Sequence, residues 1–230
     1  MDSRWKNLYT IGGISAFVIA LLLIGEIMVY SVIPVPKTTM EYLEVFIDSP
    51  IFGLLHFDLL GMVSYILFIP VILSLYMIMR KNNESLMLIS TIIGISVFFG
   101  TNTGFSMLSI SKQYIIAQTE TEKAMLLSSF HAMLTLFKVQ AFMLSYIIVS
   151  TAWVMIASVM LRSEFFNRFT AYIGIIAGLA GIIAEILENT SMKLVNIAIG
   201  FYFAAIVCLF IWIILTAKKL LYIGRKSTKA

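Results

Sequence analysis

Ionisable side chains interrupt otherwise apolar stretches at Glu26, Asp58, Lys138 and Glu185, with His56, Tyr65, Asn102, His131 and Gln140 in the same stretches or close beside them. A charge in apolar surroundings is costly, so such a group takes up a proton, recruits a counter-ion or pairs with its opposite. In this reading Glu26 is the carboxylate that binds a proton or cation, Lys138 is its counter-charge, and Asp58 and Asn102 orient the guest. If Glu26, Asp58 and Glu185 share one cavity with Lys138, three acids face one base. One acid is then neutral, or a cation or basic group is bound. The architectural alternative is a Lys138 pair with Glu26 or Asp58 that only locks helices together.

Catalytic readings have less sequence support. His56-x-Asp58 with His131, Glu26 and Glu185 supplies nitrogen and oxygen donors for a hydrolytic metal site, but no HExxH or comparable spacing accompanies them. Ser106 and Ser109 lack a nucleophile elbow. The chain contains no phosphate-binding loop, dinucleotide fingerprint or haem-attachment motif, and its single cysteine, Cys208, can build neither an intrachain disulfide nor a thiolate metal site. No cofactor and no resident metal are expected. A membrane-embedded metal-dependent hydrolase and a non-catalytic assembly protein stay open beside the binding reading.

The elements that carry these residues are long apolar runs. Of 230 residues 60% are hydrophobic and 12% charged, roughly half the charged share of a soluble domain. The runs cover about 11–33, 55–79, 86–108, 133–161, 169–187 and 194–217. Each is close to the ~20 residues that a helix needs to cross ~30 Å of hydrocarbon, and none alternates as barrel strands do. The expectation is an all-α polytopic membrane protein, a single unit of six transmembrane helices joined by short inner turns and two larger outer connections, 34–54 and 109–132. The first run follows Arg4 and Lys6 like a signal peptide, but it is too long for one and reads as a retained helix.

Eleven Lys and Arg residues fall on one side of this arrangement and four, Lys37, Lys112, Lys123 and Lys193, on the other. The asymmetry predicts cytoplasmic N- and C-termini. The net charge of +4 is accounted for by basic residues flanking apolar runs, which makes membrane lipids, and not nucleic acid, the expected partners. The ionisable set then lies in the outer half of the membrane. Thr119 and Glu122 have capping-box spacing, so a helix should start there. Running unbroken to Leu161 it would reach about 60 Å, and a bend near the interface is expected.

Helical spacing assigns faces. Gly174, Gly178, Gly181, Glu185 and Glu188 are separated by 4, 3, 4 and 3 residues and form one stripe. A glycine stripe lets another helix approach closely and aims Glu185 at protein. Such small-residue faces also make a homo-oligomer possible. Gly12, Ser15, Glu26 and Tyr30 share a face, as do Asp58, Gly61 and Tyr65, and His131, Thr135, Lys138 and Ser145. Pro70 is expected to kink its helix. His56 and His131 are better explained as interfacial or hydrogen-bonded side chains than as metal ligands.

A family resemblance sits on Asn102, Phe105-Ser106-Met107-Leu108-Ser109, Gln113-Tyr114, Ala117, Thr119-Glu120 and Lys123, followed by the basic tail. This pattern resembles the prokaryotic membrane proteins grouped as domain of unknown function 4386. The resemblance implies six helices and a bacterial or archaeal plasma membrane, and it transfers no catalytic residue.

Overall fold

A computed structural model of the chain describes residues 3–32, 35–57, 59–96, 103–137 and 145–226. Among these the regular structure is entirely helical. The helices are α1 (Lys6–Val32), α2 (Thr39–Asp48), α3 (Pro50–His56), α4 (Leu59–Met79), α5 (Glu84–Ser96), α6 (Thr103–Ile116), α7 (Glu120–Phe137), α8 (Ser145–Met160), α9 (Arg168–Thr190) and α10 (Val195–Lys226), with short 3-10 turns ahead of α1 and α10. Four of them, α1, α4, α9 and α10, are long and apolar enough to cross a membrane; α5 and α8 are shorter apolar helices.

Six helices form a ring in which each packs on the next, in the order α1, α4, α5, α8, α9, α10 and back to α1. Its interior is filled by Ile19, Phe68, Leu75, Trp153, Ile156 and Trp212, among others. Small residues set the close approaches. A side chain at Gly178 would meet Val154 Cγ2 at 2.5 Å and the Ser150 carbonyl oxygen at 2.7 Å, and one at Gly174 would meet Trp212 Nε1 at 2.6 Å. The glycine stripe of α9 is therefore covered by the chain's own α8 and α10, and self-association would have to use other faces. Its opposite face exposes Tyr172, Ile176, Leu179, Ile183 and Ile186. Small side chains inward and large apolar ones outward suit a helix whose surroundings are hydrocarbon.

Pro70 sits within α4, and the Ser74 hydroxyl one turn later lies 2.6 Å from the Pro70 carbonyl oxygen and 2.9 Å from that of Leu8. It thus links α4 to α1 beside the proline. At the same end of the ring, Asn82 Nδ2 donates to the Arg162 carbonyl at 2.9 Å, joining the α4–α5 turn to the α8–α9 turn.

The opposite end carries a helical cap, where the sequence suggested connections. Helices α2, α3, α6 and α7 pack on one another around a second core of Tyr42, Leu43, Phe46, Phe57, Met107, Phe130, Leu134 and Phe137. Phe57 is its centre, with ring centroids 5.5 Å from Tyr42, 5.3 Å from Phe46 and 4.7 Å from Phe137. The described helices distribute three of these stretches between ring and cap. The run 55–79 begins in α3 and continues as α4. Within the run 86–108, residues 86–96 belong to α5 in the ring and 103–108 to α6 in the cap, with 97–102 outside the described residues. Of the stretch from Thr119 to Leu161, α7 packs in the cap and α8 in the ring, and residues 138–144 between them lie outside the described residues. Phe57, Met107, Leu134 and Phe137 of these runs are buried in the core of the cap.

Two of the cap helices, α7 and α2, start on side-chain caps. Thr119 Oγ1 accepts from the Glu122 amide at 3.2 Å while Glu122 Oε2 accepts from the Gln118 amide at 3.2 Å, as the sequence spacing anticipated. The same device opens α2: Thr38 Oγ1 accepts from the Glu41 amide at 3.2 Å and Glu41 Oε2 from the Lys37 amide at 2.7 Å.

Candidate ligand-binding cavity

Just beneath the cap the ring interior opens into a cavity of about 140 Å³. Helix α1 contributes Glu26 and Tyr30, α4 contributes Ser64, Tyr65 and Phe68, and α8 contributes Tyr146, Ser150 and Trp153. Gly181 of α9, Tyr202 of α10 and Phe137 at the end of α7 complete much of the wall. The lining combines one carboxylate, several hydroxyls and an indole N–H with a mainly aromatic and aliphatic surface. Among the described lining residues Glu26 is the one charged side chain.

Several of these polar groups are aimed where the protein offers them little. Ser64, Ser150 and Trp153 are buried, and Ser64 Oγ, Ser150 Oγ and Trp153 Nε1 have no hydrogen-bond partner among the described residues. Buried polar atoms are normally paired, whereas these three without a partner among the described residues sit on residues that line one cavity.

Glu185 stands at the margin of this site. It is 1% exposed, one turn beyond Gly181 on the same stripe, and its Oε1 has no partner among the described residues, while Asn189 Nδ2 lies 3.4 Å from Oε2. Tyr202 links it to the cavity: the ring lines the void and its hydroxyl donates to Glu188 Oε2 at 2.6 Å, with Glu185 alongside.

The structure therefore brings Glu26 and Tyr65 to one cavity and sets Glu185 next to its wall. Asp58, Asn102, Lys138 and Gln140 lie outside the described residues. The histidines belong to the cap. His56 is buried at the end of α3 with Nδ1 2.9 Å from the Phe52 carbonyl oxygen, and exposed His131 Nδ1 is 2.7 Å from Thr39 Oγ1. Neither lines the cavity, and among the described residues no three His, Cys, Asp or Glu side chains converge as metal ligands. Sequence reasoning missed Tyr146, Ser150, Trp153 and Tyr202. Their signal was present, since 146, 150 and 153 repeat at helical spacing, but in a run of apolar residues that spacing has no direction until the inner face is known.

An all-helical protein with membrane-length helices and a capped, partly polar cavity is the class that fold and site define. Residues 10–217 match the family described as Domain of unknown function (DUF4386), and the chain belongs to that family. No curated protein and no solved structure matches it.

Proposed function

We propose that this protein is a multi-pass membrane protein that binds, and through binding transports or senses, a small ligand, cation or proton in the cavity below its cap. The observation that carries the reading is the convergence of Glu26 with Ser64, Ser150 and Trp153 on one void inside the helical ring. In the fuller form of the reading α5 and α8, with the segments that follow and precede them, complete six membrane segments in a single unit. The distribution of eleven Lys and Arg against four supports cytoplasmic termini in a plasma membrane, with the cap and cavity outward. Asp58, Asn102 and Lys138 act with Glu26, Lys138 as counter-charge; Glu185 acts through Tyr202.

Thermal unfolding in detergent, followed between about pH 5 and pH 8 for the wild type and Glu26→Gln, tests the site. A group that changes protonation on folding or binding makes stability depend on pH, so removing it must alter the profile. Coincident profiles would take Glu26 out of the site.

A further inference from the structure

We propose that the guest of this cavity is a small organic ammonium ion, held by an aromatic cage with one carboxylate. The inference rests on the cavity being the binding site and names its ligand class. Three features of the wall select that class. Rings from four different helices surround one void: Tyr65 of α4, Phe137 of α7, Tyr146 and Trp153 of α8, and Tyr202 of α10. Tyr146 and Tyr202 meet edge to face, with centroids 6.4 Å apart and planes at 81°. Faces of tyrosine and tryptophan rings attract a cation through their quadrupole, most strongly where water is excluded.

The carboxylate of Glu26 enters the same void and supplies the opposite charge. Competing guests fit less well. A hard metal ion needs about six or more oxygen ligands, whereas this wall is dominated by carbon. A proton needs no void. A neutral apolar molecule would gain nothing from the carboxylate of Glu26. The volume of about 140 Å³ is close to that of cavities that accept a benzene-sized guest, which suits a tetramethylammonium head or a similar alkylamine.

The test uses purified full-length protein in detergent, titrated with tetramethylammonium chloride and followed by calorimetry and thermal shift. Sodium chloride at equal ionic strength and tert-butanol, a neutral molecule of similar shape, are the controls. Saturable binding and stabilisation are expected with tetramethylammonium and neither with the controls. Tyr146→Leu should weaken binding about five- to thirty-fold, the effect of losing one ring face, while Tyr146→Phe keeps the ring and should bind nearly as the wild type does. Glu26→Gln should weaken it by roughly tenfold or more. Equal stabilisation by tert-butanol or by sodium would overturn the ammonium assignment while leaving a ligand cavity in place. Tyr146→Leu binding with wild-type affinity would overturn the cage. Absence of tetramethylammonium binding together with a Glu26-dependent pH profile would remove this guest and keep the proton or cation site; absence of both would remove the site itself.

Discussion

The ring and the cap solve opposite packing problems with the same secondary structure. In the ring, α9 turns Gly174, Ala177, Gly178 and Gly181 inward and Ile176, Leu179 and Ile183 outward. In the cap, α2 turns Tyr42, Leu43 and Phe46 inward and leaves Glu41, Glu44 and Asp48 exposed. On α9 small residues permit close backbone approach to α8 and α10, beside a ring core that also holds Phe68, Trp153 and Trp212, whereas α2 contributes its large side chains to the aromatic core around Phe57. The difference is that α9 buries its smallest side chains and α2 its largest.

The largest effect that would probe this contrast is loss of the central ring of the cap. Phe57 is 2% exposed and contacts Tyr42, Phe46 and Phe137. Phe57→Ala should destabilise the cap by about 3–5 kcal/mol. Hydrogen exchange should rise in α2, α6 and α7 and stay low in α9 and α10. A uniform rise would mean that cap and ring are one cooperative unit and that the contrast is only compositional.

Gly178→Leu probes the other side. The new side chain would run into Val154 and the backbone of Ser150, at a cost of about 1–3 kcal/mol or more. Thermal unfolding in detergent should fall while the cap's exchange pattern is retained. If the variant melts as the wild type does, close packing of α8 on α9 is not what holds the ring.

The smallest effect concerns pH at the cap surface. The Lys37 amide, donating to exposed Glu41, holds that carboxyl below the ordinary glutamate value, with Thr38 adding to the effect. A depressed value in the folded state means that Glu41 favours folding at pH above the ordinary glutamate value, and that this contribution disappears as pH falls through the lowered one. Acidification should loosen the start of α2 in the wild type and less so in Glu41→Gln. Exchange at α2 amides, read with and without acid, checks it.

Much of this was written in the sequence, though unevenly. Helices α1, α9 and α10 follow apolar runs with clear ends, and the glycine spacing correctly turned Glu185 toward protein. The cap was harder to see because α6 and α7 carry apolar residues for their own small core, directly continuous with those of the ring helices. Hydropathy adds the two together. The histidines drew attention by their chemistry, yet His56 and His131 hold backbone and threonine partners in the cap. Tyr146 and Tyr202 passed unnoticed because an aromatic residue in an apolar run is unremarkable until its neighbours in space are known.

Phe137 is counted twice in this molecule, once among the aromatic residues above and once in the wall of the void below. Rotating it to make more room would deprive Phe57 of its edge-on neighbour at 4.7 Å. The space open to a guest and the tightness of the roof over it are therefore tied through a single side chain, and whatever fills the one is felt, with equal free energy in both directions, by the other.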